Sequence, residues 1–231
     1  MKATKKPLRL FFKLLAKILL FAVFISVLLI VVFRWVPLPG SSVMLQRLIS
    51  EQTSQSYDWT PLSEVSPWAA LAVIAAEDQK FLQHNGIDFD SLGDAIADRL
   101  DGKRLRGAST LTQQVARNLF LWQGRSFVRK GLELYFTALL EIGWSKRRIL
   151  EVYLNIAETG PRTFGFERAS QRYYGIPAKK LSAEQAAMIA AILPNPIERR
   201  ADQPSEFVVQ RQQWILKQMH QLGGLEYLQN L

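Results

Sequence analysis

Trp68-Ala69-Ala70-Leu71-Ala72-Val73-Ile74-Ala75-Ala76-Glu77-Asp78 is the stretch on which the reading of this chain turns. From Trp68 to Ala76 no side chain carries a charge, so a helix here is apolar on every face and belongs inside a core. Two carboxylates then end it. A carboxylate at the end of a buried helix is partly desolvated, which raises its pKa towards the range useful for proton transfer. Solvated charge that simply breaks the helix is the plainer reading of Glu77-Asp78, and the local sequence leaves both open.

Working outward from that stretch, the helical pattern continues to the C-terminus. Thr110 to Leu119 is a candidate helix with Ser109 or Thr110 as its cap. Phe127 to Trp144 follows, closed by Gly143, and then Lys146 to Ile156. Leu181-Ser182-Ala183-Glu184 turns into another helix, stopped by Pro194-Asn195-Pro196. A last helix of about Ser205 to Leu222 carries Val208, Ile215, Met219 and Leu222 on one face and stops at Gly223-Gly224. No alternating strand pattern exceeds four or five residues, and no internal repeat is visible. The expectation is one mostly α domain over residues 67–231, large enough to bury a core.

The chain has 231 residues, 48% of them apolar and 21% charged, which excludes a disordered chain or a low-complexity fibre. With no cysteine, a disulfide framework and a thiolate nucleophile are excluded, and two histidines, His84 and His220, cannot build a multi-His zinc site. No P-loop, Gly-x-Ser-x-Gly elbow or dinucleotide fingerprint occurs. Carboxylates remain the credible catalytic groups. Besides Glu77, Glu133 stands out, because Arg129, Glu133, Thr137 and Glu141 repeat every four residues along one helix face. An exposed Arg129–Glu133 pair, worth only about 0.3–0.5 kcal/mol, is the plainer alternative. In the segment Arg106 to Asn118, Gln113 and Arg117 are i,i+4 neighbours flanked by Gln114, and Gly107-Ala108-Ser109-Thr110 leads into the helix N-terminus. Free N–H groups there suit an anion, and the segment as a whole suits a phosphate-bearing ligand. A solvated, well-capped helix explains the same residues without a ligand.

The N-terminal part differs in kind. Leu14 to Phe33 is twenty residues interrupted only by Lys17 and Ser26, about 30 Å of helix. The run ends in Arg34-Trp35-Val36-Pro37-Leu38-Pro39 without an A-x-A-like cleavage site, so it reads as an uncleaved transmembrane anchor over 14–36. Lys2, Lys5, Lys6, Arg9, Lys13 and Lys17 lead it and only Arg34 closely follows, which places residues 1–13 in the cytoplasm as a basic head. Anionic lipid accounts for much of the chain's net charge of +9, and no nucleic-acid partner is needed. Residues 37–66 read as a connector. Leu119-Phe120-Leu121-Trp122 reads as an interfacial segment that dips into the outer side of the membrane, with a packed core turn as the alternative.

Several of these segments together resemble ordered motifs of one family. Glu77-Asp78-x-x-Phe81-x-x-His84-x-Gly86, Gly107-Ala108-Ser109-Thr110-Leu111-Thr112-Gln113-Gln114 and Arg129-Lys130-x-x-Glu133 are similar to three motifs of the peptidoglycan glycosyltransferases of family 51. This is the glycosyltransferase domain family of the penicillin-binding proteins. Ile149-Leu150-Glu151-x-Tyr153-Leu154-Asn155 with Gly160 and Gly165 resembles the fourth motif, and the Glu184 helix ending at Pro194-Asn195-Pro196 the fifth. The chain ends soon afterwards, as in monofunctional members. Ala108 and Arg117 depart from the Gly and Lys common in the family, and Thr137 stands where many relatives have Ala.

The resemblance implies a lysozyme-like, mostly helical fold with a smaller membrane-proximal lobe. It implies polymerisation of lipid II into β-1,4-linked glycan with release of undecaprenyl pyrophosphate. The enzyme would sit in the bacterial inner membrane as a single-pass protein, its catalytic domain on the periplasmic side. Glu77 would be the general base, and Glu133 with Arg117, Arg129 and Lys130 would favour departure of the pyrophosphate, while Ser109, Gln113 and Gln114 would bind substrate. Family sites also use a divalent cation at the diphosphate, although no dedicated metal ligands are identified in this chain. The partners implied are lipid II, the growing lipid-linked glycan, the membrane and other cell-wall or division proteins. A glycan hydrolase would also use Glu77 but has no need of Arg117, Arg129 and Lys130, and a non-catalytic scaffold would need neither acid.

Overall fold

The computed structural model describes residues 5–100, 109–124 and 126–231. It divides into one unit up to Pro37 and a second from Leu38 onward. The first unit is a single helix, α1 (Lys5–Val32). It begins well before residue 14, so the described part of the basic head is helical and continuous with the apolar run. Arg9 to Val32 is long and apolar enough to cross a membrane, about 36 Å over 24 residues. Leu10, Leu20, Phe21 and Phe24 are all well exposed, the condition of a helix whose solvent is lipid. At its end the Arg34 guanidinium lies over the Trp35 ring at 5.1 Å.

The second unit is mostly helical. In order it holds α2 (Ser42–Glu51), α3 (Pro67–Glu77), α4 (Phe89–Leu100), α5 (Leu111–Phe120), α6 (Phe127–Gly143) and α7 (Lys146–Ile156). A two-stranded antiparallel hairpin follows, β1 (Glu158–Gly160) and β2 (Thr163–Phe164), then α8 (Phe166–Tyr174), α9 (Ala183–Ile192) and α10 (Glu206–Gln221). Helix α3 is the central element. Ser66 caps it, Pro67 occupies its first turn where a missing N–H is harmless, and Ala69 to Ala75 are all buried. It packs against α9 and α10. Helix α9 is rich in alanine and buried from Ala186 to Ile192, and a reciprocal capping box of Ser182 and Gln185 fixes its start.

Residues 37–66 behave differently from a connector. Helix α2 packs on α5, with Ser42 Oγ donating to the Leu121 carbonyl. The Gln46 amide donates to the same carbonyl at 3.0 Å and accepts from the Gln123 N–H at 2.8 Å. Ser56 pairs with the hairpin, its N–H donating to the Arg162 carbonyl at 2.8 Å. The Asn155 amide exchanges hydrogen bonds with both backbone groups of Thr60, and Glu151 accepts from the Leu62 N–H at 3.0 Å. Polar residues that read as a linker are thus backbone anchors on the domain wall. Gly165 serves the same corner: its φ is +83°, and a Cβ there would stand 2.7 Å from the Asn155 carbonyl oxygen.

Candidate active site

Helix α3 delivers Glu77 at its C-terminal end, with the side chain only 16% exposed. One carboxylate oxygen accepts from the Gln114 amide at 3.0 Å. The other faces an Arg211 guanidinium N–H at 3.4 Å. Burial pushes the Glu77 carboxyl above its ordinary range, opposed by the Gln114 hydrogen bond and by the charges of Arg211 and Arg117, while Asp78 adds to the rise. Gln114 is itself held, because its amide oxygen accepts from the Tyr153 hydroxyl at 3.2 Å. Burial and the nearby Glu77 charge hold the Tyr153 hydroxyl well above its usual pKa, so it stays a donor. The chain Tyr153–Gln114–Glu77 therefore fixes which face of the amide meets the carboxylate. Gln114, expected to bind substrate, is in the first place the group that orients Glu77.

Asp78 turns away from this carboxylate and braces it. Its side chain is buried, accepts from the Leu111 N–H at 2.9 Å and meets His84 Nε2 at 2.9 Å. His84 Nδ1 accepts from the Gly86 N–H at 3.1 Å, so the ring proton belongs on Nε2 and points at Asp78. The Gly86 carbonyl accepts from Thr110 Oγ1 at 2.6 Å, and Thr110 caps α5 by accepting from the Gln113 N–H at 3.2 Å. This loop of contacts ties the end of α3 to the start of α5. It also answers the anion-site expectation for that helix start: the Leu111 and Gln113 N–H groups are taken by Asp78 and Thr110. Gln113 is buried, and Ser109 lies just ahead of the cap; Arg106, Gly107 and Ala108 lie outside the described residues.

The second acid is on α6. Arg129, Glu133 and Thr137 are buried and Glu141 is half-buried against Lys146, so the stripe faces inward, on the helix that packs on α5. Glu133 is 2% exposed. One oxygen accepts from Arg129 at 2.7 Å and the other from Lys130 at 2.5 Å. Arg129 is buried too, and its Nε–H has no acceptor among the described residues. The exposed ion pair considered from the sequence is thereby replaced by a buried one with a spare donor.

A cavity of about 400 Å³ joins these groups. Gln114, Arg117, Arg129, Tyr153 and Glu158 are among its polar lining residues, with Trp122, Leu193 and Pro196 among the apolar walls. Glu133 and Lys130 are not among its lining residues, and Glu133 is joined to it by the ion pair with Arg129. Glu77 borders it through Gln114. Glu158, which sequence reasoning passed over, is paired with Arg47 of α2 at 3.1 Å; burial raises its carboxyl, opposed by Arg47. Of Leu119 to Trp122, Leu119 and Leu121 are buried and Trp122 is 45% exposed, so packing claims two of the residues expected to dip into lipid.

The arrangement puts two guanidinium groups on one cavity, with the desolvated Glu77 carboxylate behind the Gln114 amide that lines it. Comparison with known proteins then fixes the family. The chain matches the family described as Transglycosylase over residues 43–220. Biosynthetic peptidoglycan transglycosylases of Yersinia pestis (strain Pestoides F) and Yersinia pseudotuberculosis (serotype IB, strain PB1/+) are each 51% identical over 207 residues. Those alignments cover 87% of this chain and 86% of theirs. The chain belongs to the transglycosylase family.

This transglycosylase has the mostly helical, lysozyme-like fold of its family. The family region begins within α2 and ends within α10. That span includes Arg211, which sequence reasoning missed. No local pattern marks Arg211, since it meets Glu77 across 134 residues of chain. Tyr153 could have been singled out, as it sits in the Ile149 to Asn155 motif.

Proposed function

We propose that this transglycosylase polymerises lipid II, joining disaccharide units by β-1,4 linkage and releasing undecaprenyl pyrophosphate. Glu77 takes the proton from the acceptor sugar's 4-hydroxyl as that oxygen bonds to the anomeric carbon of the donor. The bond from that carbon to the diphosphate breaks, and the electron pair leaves with the diphosphate. Charge builds on the leaving group, and preorganised cations stabilise it most in the transition state. Arg117 and Arg129 supply them. Glu133 keeps Arg129 in place from behind, and Lys130 completes its neutralisation.

The observation that carries this reading is the Arg129 guanidinium, a donor that lines the cavity beside Arg117 while Glu133 holds it from outside. A hydrolase of finished glycan has no anionic leaving group to use such a donor. No three carboxylates or imidazoles converge on a metal position among the described residues. A divalent cation at the diphosphate would supply further neutralisation of the leaving group's charge beside Arg117 and Arg129. Helix α1 would anchor the enzyme in the inner membrane, with its N-terminus in the cytoplasm and the catalytic unit on the periplasmic side. Supplying lipid-linked disaccharide-pentapeptide and resolving the products tests the reaction. Glycan polymer is expected, and lysis products from finished glycan without polymer would overturn it.

A further inference from the structure

A second cavity, of about 270 Å³, lies beside the β1–β2 hairpin. Arg162, Arg168 and Arg172 line it together with Ser54, Ser56 and Thr163. Three guanidinium groups here meet one paired carboxylate, Asp58, which Arg168 approaches at 3.4 Å. Asp202, whose charge Arg172 also feels, is occupied by Arg200 at 2.6 Å. Arg168 Nε is buried and has no acceptor among the described residues. Arg172 is held by its hydrogen bonds to the Pro161 carbonyl at 2.9 Å and Thr163 Oγ1 at 2.7 Å. Arg162 is exposed at the hairpin tip with φ of 56°. Such clustered, partly fixed guanidinium groups with hydroxyls beside them are suited to an oxyanion.

We propose that this cavity binds the C-terminal carboxylate of the substrate's peptide. The proposal rests on lipid II as the substrate. The hairpin joins the two cavities: Glu158 at its start lines the catalytic one, and Arg162 four residues on lines this one. At about 3.3 Å per residue that is at most ~13 Å of chain. An extended pentapeptide reaches about 16 Å, so a peptide carried on a sugar in the catalytic cavity spans the gap. The lining also favours a water-borne ligand over a lipid headgroup. None of the seven lining residues is a large exposed apolar side chain, whereas Leu45, Leu48, Ile49, Trp122, Phe127 and Val128 carry that character elsewhere on the unit.

The test is calorimetric titration of the full chain in detergent with an N-acetylated pentapeptide, as free acid and as C-terminal amide. The free acid is expected to bind about ten-fold more tightly than the amide, the loss belonging to a charge-assisted contact. Arg162→Asn, which keeps a residue at ease with positive φ, and Arg168→Gln are each expected to remove that preference. Vesicles of phosphatidylglycerol form the second arm. Vesicle binding that falls in these variants while the peptide preference stays makes the cavity a lipid site and overturns the proposal. Equal binding of acid and amide, no binding up to about 10 mM, or variants that bind like the parent overturn it too. The kinetic arm compares kcat/KM for lipid-linked disaccharide with and without its pentapeptide, and the variants should lower that ratio. Failure of the parent to make polymer from either substrate would count against the polymerase reading instead, with the peptide titration still deciding the cavity.

Discussion

Arg129→Ala tests whether the second acid is a surface pair or part of a buried device. From sequence alone, an exposed Arg129–Glu133 pair should lose under about 1 kcal/mol when broken, leaving the melting temperature nearly unmoved. The structure changes that number. The Arg129 and Glu133 side chains are 11% and 2% exposed and 2.7 Å apart. Breaking a buried pair by removing one partner costs about 3–5 kcal/mol, because the other charge is left without its compensation. Lys130 still reaches Glu133 at 2.5 Å and is 44% exposed, so water shares in its compensation and the loss belongs at the low end, about 3 kcal/mol. For a domain of this size each kcal/mol moves Tm by about 2–4 °C, so Arg129→Ala should melt ~6–12 °C lower. Polymerisation should fall by at least about 10²-fold, the scale for removing one preorganised donor to the developing charge. Adding Glu133→Gln to Arg129→Ala removes the stranded charge, so melting should recover while activity does not. Thermal melting in detergent beside initial polymerisation rate reads both effects. An Arg129→Ala enzyme that melts within about 2 °C of the parent and stays active within a few-fold would refute both the burial argument and the diphosphate assignment.

Glu77→Gln should lower kcat by about 10²–10⁴ while leaving the fold intact. Its melting temperature at neutral pH should stay level or rise. Burial raises the folded carboxyl above 4.5, so the folded state holds the proton more tightly, and stability falls as pH climbs from about there through the folded pKa. A clear loss of stability on Glu77→Gln would show that the charge supports the fold instead. Arg211→Ala removes a charge that holds the Glu77 pKa down, so the acidic limb of the kcat/KM profile should move to higher pH; an unmoved limb would dissociate Arg211 from the base. Gly86→Ala should destabilise by more than about 1 kcal/mol in a denaturant titration, because φ is +85° and the new Cβ would stand 2.6 Å from Thr137 Cγ2. Trp122 should be quenched by lipid-borne quenchers in a variant with the other tryptophans replaced, and Leu121→Gln, at a buried position, should lower stability rather than membrane binding.

What could be read from sequence depended on how far each signal extends along the chain. Helices α3 and α9 are apolar around their whole circumference, and α5, α6, α7 and α10 show helical periodicity with capping residues at their starts, so local windows find them. Helix α8 is a nine-residue polar segment, and the hairpin is two strands of three and two residues, below the length at which alternation means anything. Residues 38–66 lack a long apolar run, and what makes them part of the domain is hydrogen bonds to residues 75 to 95 positions away. The same distinction sorts the site. Glu77 is legible because its desolvation follows from the helix that precedes it. The Arg129–Glu133–Thr137 stripe is legible as a face, but charged faces are normally turned to solvent, and only the packing of α6 on α5 turns this one inward.

Asp78 and His84 show why an acid and an imidazole six residues apart could not be assigned from their own neighbourhood. Their partners are the Leu111 and Gly86 N–H groups, and the meaning of the contact lies in what it joins. Helix α3 carries the proposed base, and α5 carries both Gln114, which hydrogen-bonds it, and Arg117, which lines the cavity. A shift between these helices would separate the proton acceptor from its orienting amide. Asp78 closes that degree of freedom with a carboxylate placed at the N-terminus of α5, where the helix dipole favours negative charge. The acid beside Glu77 also adds to the rise of its carboxyl pKa, the direction that the proposed role of general base calls for.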